Sequence, residues 1–166
     1  VVLVGEMRDA ETASIAVRAS LTGHLVFTTL HTNDAPAAAM RLVDLGVAPY
    51  LLASCLRGVL GQRLVRRLCP ACRRPVSWEE ASRELEPYEF WRQRLEGKTL
   101  WRATGCDRCL EGYNGRTGLF ELMPGDPRVR NAIRQGGLAA ADLHQAAVES
   151  GMRPLIEDAV AKLAKG

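Results

Sequence analysis

The chain has 166 residues, 47% of them apolar, 25% charged and 5% aromatic. That is the composition of an ordinary globular chain and excludes a collagen, a low-complexity tract and a disordered tail. The net charge of +3 is too small to argue for nucleic acid by itself. No apolar run approaches the ~18 residues of a membrane-spanning helix, and the amino terminus lacks the basic-then-apolar order of a secretory signal.

Val1-Val2-Leu3-Val4 is a continuous apolar, β-branched run, as in the buried strand of a parallel sheet. A chain that opens inside such a strand, without Met, reads as a fragment of a longer one. From Asp9 the pattern turns helical, with Asp9 as the N-cap and Gly23 as the stop. Leu25–Leu30 reads as a second strand. Asn33 or Asp34 then caps a helix that reaches Gly46, and a further helix runs from Pro49 to about Gly61. Leu64–Leu68 reads as another strand. Strand–helix–strand connectivity makes the first two strands parallel and delivers Glu6 and His31 to one edge of the sheet. Open α/β sheets bind ligands outside that carboxyl edge.

The rhythm breaks at residues 69–109, where two cysteine pairs flank a charged middle with one or two short helices broken at Pro87. Gly112, Gly115 and Gly118 form a turn feeding a strand at Leu119–Leu122. Asp126-Pro127 then opens a helical end piece interrupted at Gly136-Gly137 and Gly151.

Cys69-Pro70-Ala71-Cys72 and Cys106-Asp107-Arg108-Cys109 are the strongest chemical signal. Two residues between thiolates let both sulfurs of a knuckle reach one tetrahedral ion, and two knuckles close an S₄ site suited to structural zinc. Redox disulfide pairs or unliganded thiols are the alternatives. The 33 residues between Cys72 and Cys106 must fold back, which costs little because loop entropy rises only logarithmically. Six arginines and no acidic residue lie between Arg57 and Arg74. A nucleic-acid surface is one reading, but no aromatic residue interleaves them to stack on bases. Arginines that offset the negative charge of a zinc tetrathiolate are the preferred reading.

Val1–Glu6 has the shape of a Walker B element, a strand ending in an acid that orients the attacking water or helps hold Mg²⁺ beside a γ-phosphate. Alone the motif is weak, since Glu6 could merely pair with Arg8. His31, at the same edge, could donate to a phosphate oxygen or the attacking water. His24 sits at the other end of its strand, where a structural role is an equal reading. Gly97-Lys98-Thr99 resembles the end of a phosphate-binding loop, but Arg92 stands where the pattern needs glycine, so it reads as a turn. Cys55 reads as a packing residue, and Trp78, Trp91 and Trp101 as walls of a small core.

Val4-Gly5-Glu6-Met7-Arg8-Asp9-Ala10-Glu11-Thr12 and Thr22–Asn33 closely resemble the Walker B and histidine boxes of the secretion ATPases of type II secretion and type IV pilus assembly. The likeness continues through Arg41-Leu42, Gly61–Pro70 and Gly105–Gly118, and is weakest across residues 75–101. The tetracysteine points to extension-type members, because retraction-type pilus ATPases lack it. The resemblance implies an α/β fold: the C-terminal part of a RecA-like P-loop NTPase core with an inserted Cys₄ zinc subdomain and a C-terminal helical subdomain. It implies Glu6 and His31 as catalytic residues, His24 and Arg8 near the phosphates, and Cys69, Cys72, Cys106 and Cys109 as zinc ligands. ATP, Mg²⁺ and Zn²⁺ are the implied cofactors. The implied setting is a homo-hexamer, peripheral to the cytoplasmic face of the bacterial inner membrane, working with a membrane platform protein and other secretion or pilus components. No nucleic acid is expected.

The expected division is residues 1–68 as the back half of the ATPase core, 69–110 as the zinc insertion, 111–125 as a return turn and strand, and 126–166 as the helical subdomain. The family's phosphate-binding loop is not in the sequence, so the 166 residues alone are expected to be inactive. The competing readings are a zinc-dependent nucleic-acid binder and a non-catalytic assembly module.

Overall fold

The structure is a computed structural model that describes residues 1–84, 87–135 and 140–165. The chain divides into two units, Val1–Gly61 with Glu121–Pro154, and Gln62–Phe120 with Leu155–Gly166.

In the first unit, strand β1 (Val2–Val4) leads through helix α1 (Ala10–Leu21) to strand β2 (Val26–Thr28). The strands are parallel, with Val2 opposite Val26, Leu3 opposite Phe27 and Val4 opposite Thr28. α1 begins where the Asp9 carboxylate accepts the Thr12 N–H at 2.8 Å. It ends before Gly23, whose φ of 94° is a left-handed turn that costs glycine no Cβ clash. Helix α2 (Ala35–Asp44) is capped by Asp34, which accepts the Ala37 N–H at 2.7 Å.

Four expectations from the sequence are corrected here. β1 is not buried on both faces. Val4 and Val26 pack on the core, but Leu3 is 79% exposed and Phe27 53%. The pleat sends alternate side chains to opposite faces, and the described residues cover one of them. Helix α3 (Pro49–Cys55) is also shorter than expected, and strand β3 (Gly58–Leu68) starts six residues before Leu64. Its partner is strand β6 (Tyr113–Pro124), itself longer than the expected Leu119–Leu122. Gly58 and Gly61 weaken a helix there, and long-range strand pairing decides the outcome. The N–H of Gly125 reaches the Arg57 carbonyl at one end of the pair, and that of Cys69 reaches the Gly112 carbonyl at the other.

The first unit's core lies among α1, α2, α3, α6 (Pro127–Gln135) and α7 (Ala140–Glu149). Ala13, Ala39 and Ala53 let the helices approach closely around Leu52, Val129 and Leu143. Full burial of one such leucine contributes about 1.5–3 kcal/mol. α6 starts as expected, with Asp126 accepting the Val129 N–H at 2.9 Å. The break at Gly151 is present, whereas that at Gly136-Gly137 lies outside the described residues.

In the second unit, strands β4 (Arg74–Val76) and β5 (Leu100–Arg102) pair antiparallel. The register puts Arg74 opposite Arg102, a repulsive arrangement by itself. Glu80, in helix α4 (Trp78–Ala81), resolves it by meeting Arg74 at 2.5 Å and Arg102 at 3.1 Å. A single 3₁₀ turn (Ser82–Glu84) and helix α5 (Tyr88–Leu95) follow, with α5 starting after Pro87. Among the described residues of this unit, Leu95, Leu100 and Cys69 are the buried apolar ones. Gly97 at φ 78° and a Lys98 N–H to Leu95 carbonyl bond make Gly97-Lys98-Thr99 the expected turn. Helix α8 (Leu155–Leu163) belongs to this unit, where Glu157 meets Arg94 at 3.3 Å and Asp158 accepts the Phe120 N–H at 2.9 Å. Among the described residues, no helix is long and apolar enough to cross a membrane.

Candidate functional site

The parallel pairing of β1 and β2 continues past their last regular pair. The Thr29 hydroxyl donates to the Gly5 carbonyl at 2.6 Å, and the Met7 N–H donates to the Thr29 carbonyl at 3.1 Å. Met7 is buried and roots this turn in the core. The two chain exits are thereby tied, and Glu6 and His31 leave them on the same side. Glu6 Oε1 lies 3.0 Å from His31 Nε2, and Glu6 Oε2 lies 2.5 Å from Arg8 Nη2.

These residues line a pocket of about 300 Å³ with Met7, Leu30 and Arg41. Two guanidiniums and an imidazole surround one carboxylate, a balance that favours an anionic ligand such as a phosphate. Each oxygen of an ionised carboxylate has two acceptor sites, so Glu6 can accept a hydrogen bond from water while still paired. Sequence reasoning did not assign Arg41 to a site. It projects from α2, which begins four residues after His31.

The Arg8 hydrogen bond is the main cause holding the Glu6 carboxyl below the usual glutamate range; burial opposes it, and the charges of Arg8 and His31 assist. A depressed carboxyl stabilises the folded protein above its unfolded value, and that contribution is lost as pH falls through the lowered folded value. Carboxyl-carbon NMR of Glu6 is therefore expected to give a midpoint below the ordinary ~4.3. Arg8→Ala should move it upward. A midpoint at or above the ordinary value would contradict the pairing.

His24 is not brought to this group. Its Nδ1 lies 3.2 Å from the Ala19 carbonyl and 3.3 Å from Thr22 Oγ1, at the carboxyl end of α1 and the opposite end of β2.

In the second unit the four clustered cysteines bring their sulfurs within 4.8 Å of one another. Cys69 and Cys106 are 4.0 Å apart, Cys72 and Cys109 3.7 Å, and Cys106 and Cys109 3.6 Å. A tetrahedron of sulfurs about 2.3 Å from zinc has edges of roughly 3.8 Å, so the donor set fits that ion. A disulfide needs about 2.05 Å, and all five cysteines are free. Burial raises the Cys72 thiol, but hydrogen bonds from Thr104, Gly105 and the other sulfurs outweigh it and bring it down to about 7. A backbone hydrogen bond at Arg108 lowers Cys106, while burial and three neighbouring sulfurs push it up to about 11. Gly112, at φ 87°, fixes the turn behind the knuckles, where a Cβ would come within 2.6 Å of the Ala103 Cβ.

Several of the nearby arginines are engaged inside the unit. Arg66 lies over the Tyr113 ring at 3.8 Å, and Arg73 over Trp101 at 4.3 Å. Cys55 packs half-buried against the first unit's core, and burial raises its thiol.

A family model described as "Type II/IV secretion system protein" matches residues 1–166. The chain is 46% identical over 168 residues to the type II secretion system ATPase E of Vibrio cholerae, covering 100% of this chain and 32% of that protein. It is 44% identical over 168 residues to the type IV pilus assembly ATPase PilB of Thermus thermophilus, covering 100% of this chain and 18% of that one. The X-ray structure of the Legionella pneumophila ATPase DotB superposes with a TM-score of 0.59 at 25% identity, over 99% of this chain and 35% of DotB. The chain thus spans about a third of the length of the first curated relatives it matches.

Proposed function

Since the chain belongs to the type II/IV secretion system protein family and has the α/β fold of a secretion ATPase's C-terminal part, we propose that it carries the hydrolytic edge of an ATPase that powers type II secretion or type IV pilus assembly. The observation that carries this reading is the meeting of Glu6 and His31 at 3.0 Å, in a cation-rich pocket outside the carboxyl ends of two parallel strands. In it Glu6 orients the attacking water, His31 donates to the water or a γ-phosphate oxygen, and Arg8 sets the Glu6 carboxylate and faces the phosphates. Glu6 is the one carboxylate among the pocket's lining residues, so a magnesium ion arriving with ATP would share it. His24 is not among the residues that line this pocket.

The four cysteines hold a structural zinc ion. Residues 1–68 are the back half of the core, 69–110 the zinc insertion, 111–125 the returning turn and strand, and 126–166 the helical subdomain. The working form is a homo-hexamer on the cytoplasmic face of the inner membrane, engaged with a platform protein and other secretion or pilus components.

The test is magnesium-dependent phosphate release. The full-length protein is expected to turn over ATP, and the 166-residue chain to show none. Turnover by the shorter chain would overturn the inactivity of the isolated piece. No turnover by the full-length hexamer would overturn the ATPase reading.

A further inference from the structure

Glu121, on β6, is the one charged residue in the buried set of the described residues, at 4% exposure. Its Oε1 accepts the Ala35 N–H at 2.6 Å, across 86 positions of sequence. Ala35 is the first residue of α2, and an N–H there has no acceptor within its own helix. A carboxylate also meets the positive end of the helix dipole at that point. Asp34 already caps the helix through the Ala37 N–H. The start of α2 is therefore held twice, by its own cap and by a side chain from a distant strand.

Room for the second hold comes from Gly61 on β3. A Cβ there would lie 2.7 Å from the Glu121 Cγ and 2.8 Å from its Oε1. Burying a carboxylate is costly unless it is hydrogen-bonded, so packing alone does not account for glutamate at this position. The segment being held is Thr32-Asn33-Asp34, which joins His31 to α2 and is braced by the Thr32 hydroxyl donating to the Asp34 carbonyl at 3.1 Å. Beyond it, His31 meets Glu6, and Arg41 of α2 lines the same pocket.

We infer that Glu121 is a positioning residue for this pocket: it sets the start of α2 so that His31 and Arg41 face Glu6. Its kinetic consequence rests on the ATPase reading above; its structural consequence does not. Three variants of the full-length protein separate the two. Glu121→Leu keeps the bulk and removes the acceptor. Glu121→Gln keeps a carbonyl oxygen in place. Ala35→Pro replaces the donor N–H with a ring carbon aimed at the Glu121 Oε1, so it breaks the same bond from the other side, and proline suits the first position of a helix. Ile133→Ala, in the same unit's core, is the control for lost stability without any change at the His31 loop.

Glu121→Leu and Ala35→Pro are expected to lower kcat about tenfold or more, with KM for ATP little changed, since misplacing a reacting group by about 1 Å suffices for such a loss. Glu121→Gln should retain most of the rate. The His31 ring resonances, read by NMR without nucleotide, should move in the first two variants and stay in place in Ile133→Ala at a comparable loss of Tm. If Glu121→Leu does not fold, Ala35→Pro decides. Ring signals and kcat that match wild type in the folded variants would overturn the positioning role. A wild-type protein that turns over no ATP, with ring signals that still move, would overturn the ATPase reading and leave the positioning role standing.

Discussion

Glu6→Gln in the full-length protein is expected to lower ATP turnover by a factor on the order of 10²–10⁴, the usual contribution of a positioned acid–base group. Nucleotide binding should persist. The substitution keeps the shape and one acceptor oxygen, so the His31 contact at 3.0 Å can survive as a neutral hydrogen bond. What it removes is the carboxylate charge proposed to polarise the attacking water, together with the charge-assisted Arg8 pair. Phosphate release at saturating ATP and equilibrium binding of a fluorescent nucleotide separate the two effects. Turnover within a few-fold of wild type would make Glu6 a tether for Arg8 and nothing more.

The second large effect concerns the four cysteines. The purified protein is expected to hold one zinc ion per chain, and Cys72→Ser should abolish it. The second unit has few buried apolar residues, with Cys69, Leu95 and Leu100 the buried ones among the described residues. Such a unit depends on a staple, and structural zinc supplies apparent binding energies of about 10–16 kcal/mol in small finger peptides. Hydrogen exchange should therefore show the amides of β4 and β5 losing protection in Cys72→Ser. The amides of β1, α1 and β2, which belong to the other unit, should keep theirs. Unchanged protection of β4 and β5 in a zinc-free variant would show that the cysteines are not structural.

Local signals made the first unit readable. Asp9 caps α1 as expected, Asp34 is the one of the two candidates Asn33 and Asp34 that caps α2, and glycines mark the ends. The meeting of Glu6 with His31 followed from connectivity, because a crossover helix forces parallel strands and parallel strands share a carboxyl edge. The spacing of Cys69, Cys72, Cys106 and Cys109 likewise announced one cluster.

The misses share a cause, which is contact at long range. β3 begins at Gly58 because β6, more than fifty residues away, is there to pair with it; Gly58 and Gly61 argue locally against a helix but not for that partner. Leu3 and Phe27 look like core residues in a string of letters, and only the arrangement of layers tells which face is covered. Arg41 lines the pocket from α2, and Glu121 reaches the start of that helix from β6; the likeness at Arg41-Leu42 gave Arg41 no role at a site, and no motif marks Glu121.

The edge holding Glu6 and His31 is proposed as the place where the terminal phosphate of ATP is attacked. The most direct measurement is a structure of the full-length Glu6→Gln protein with Mg²⁺ and ATP, in which slowed hydrolysis preserves the substrate. The γ-phosphate is expected beside residue 6 and His31, with a water between residue 6 and the phosphorus. Nucleotide bound with its γ-phosphate at any other edge of the sheet would contradict it.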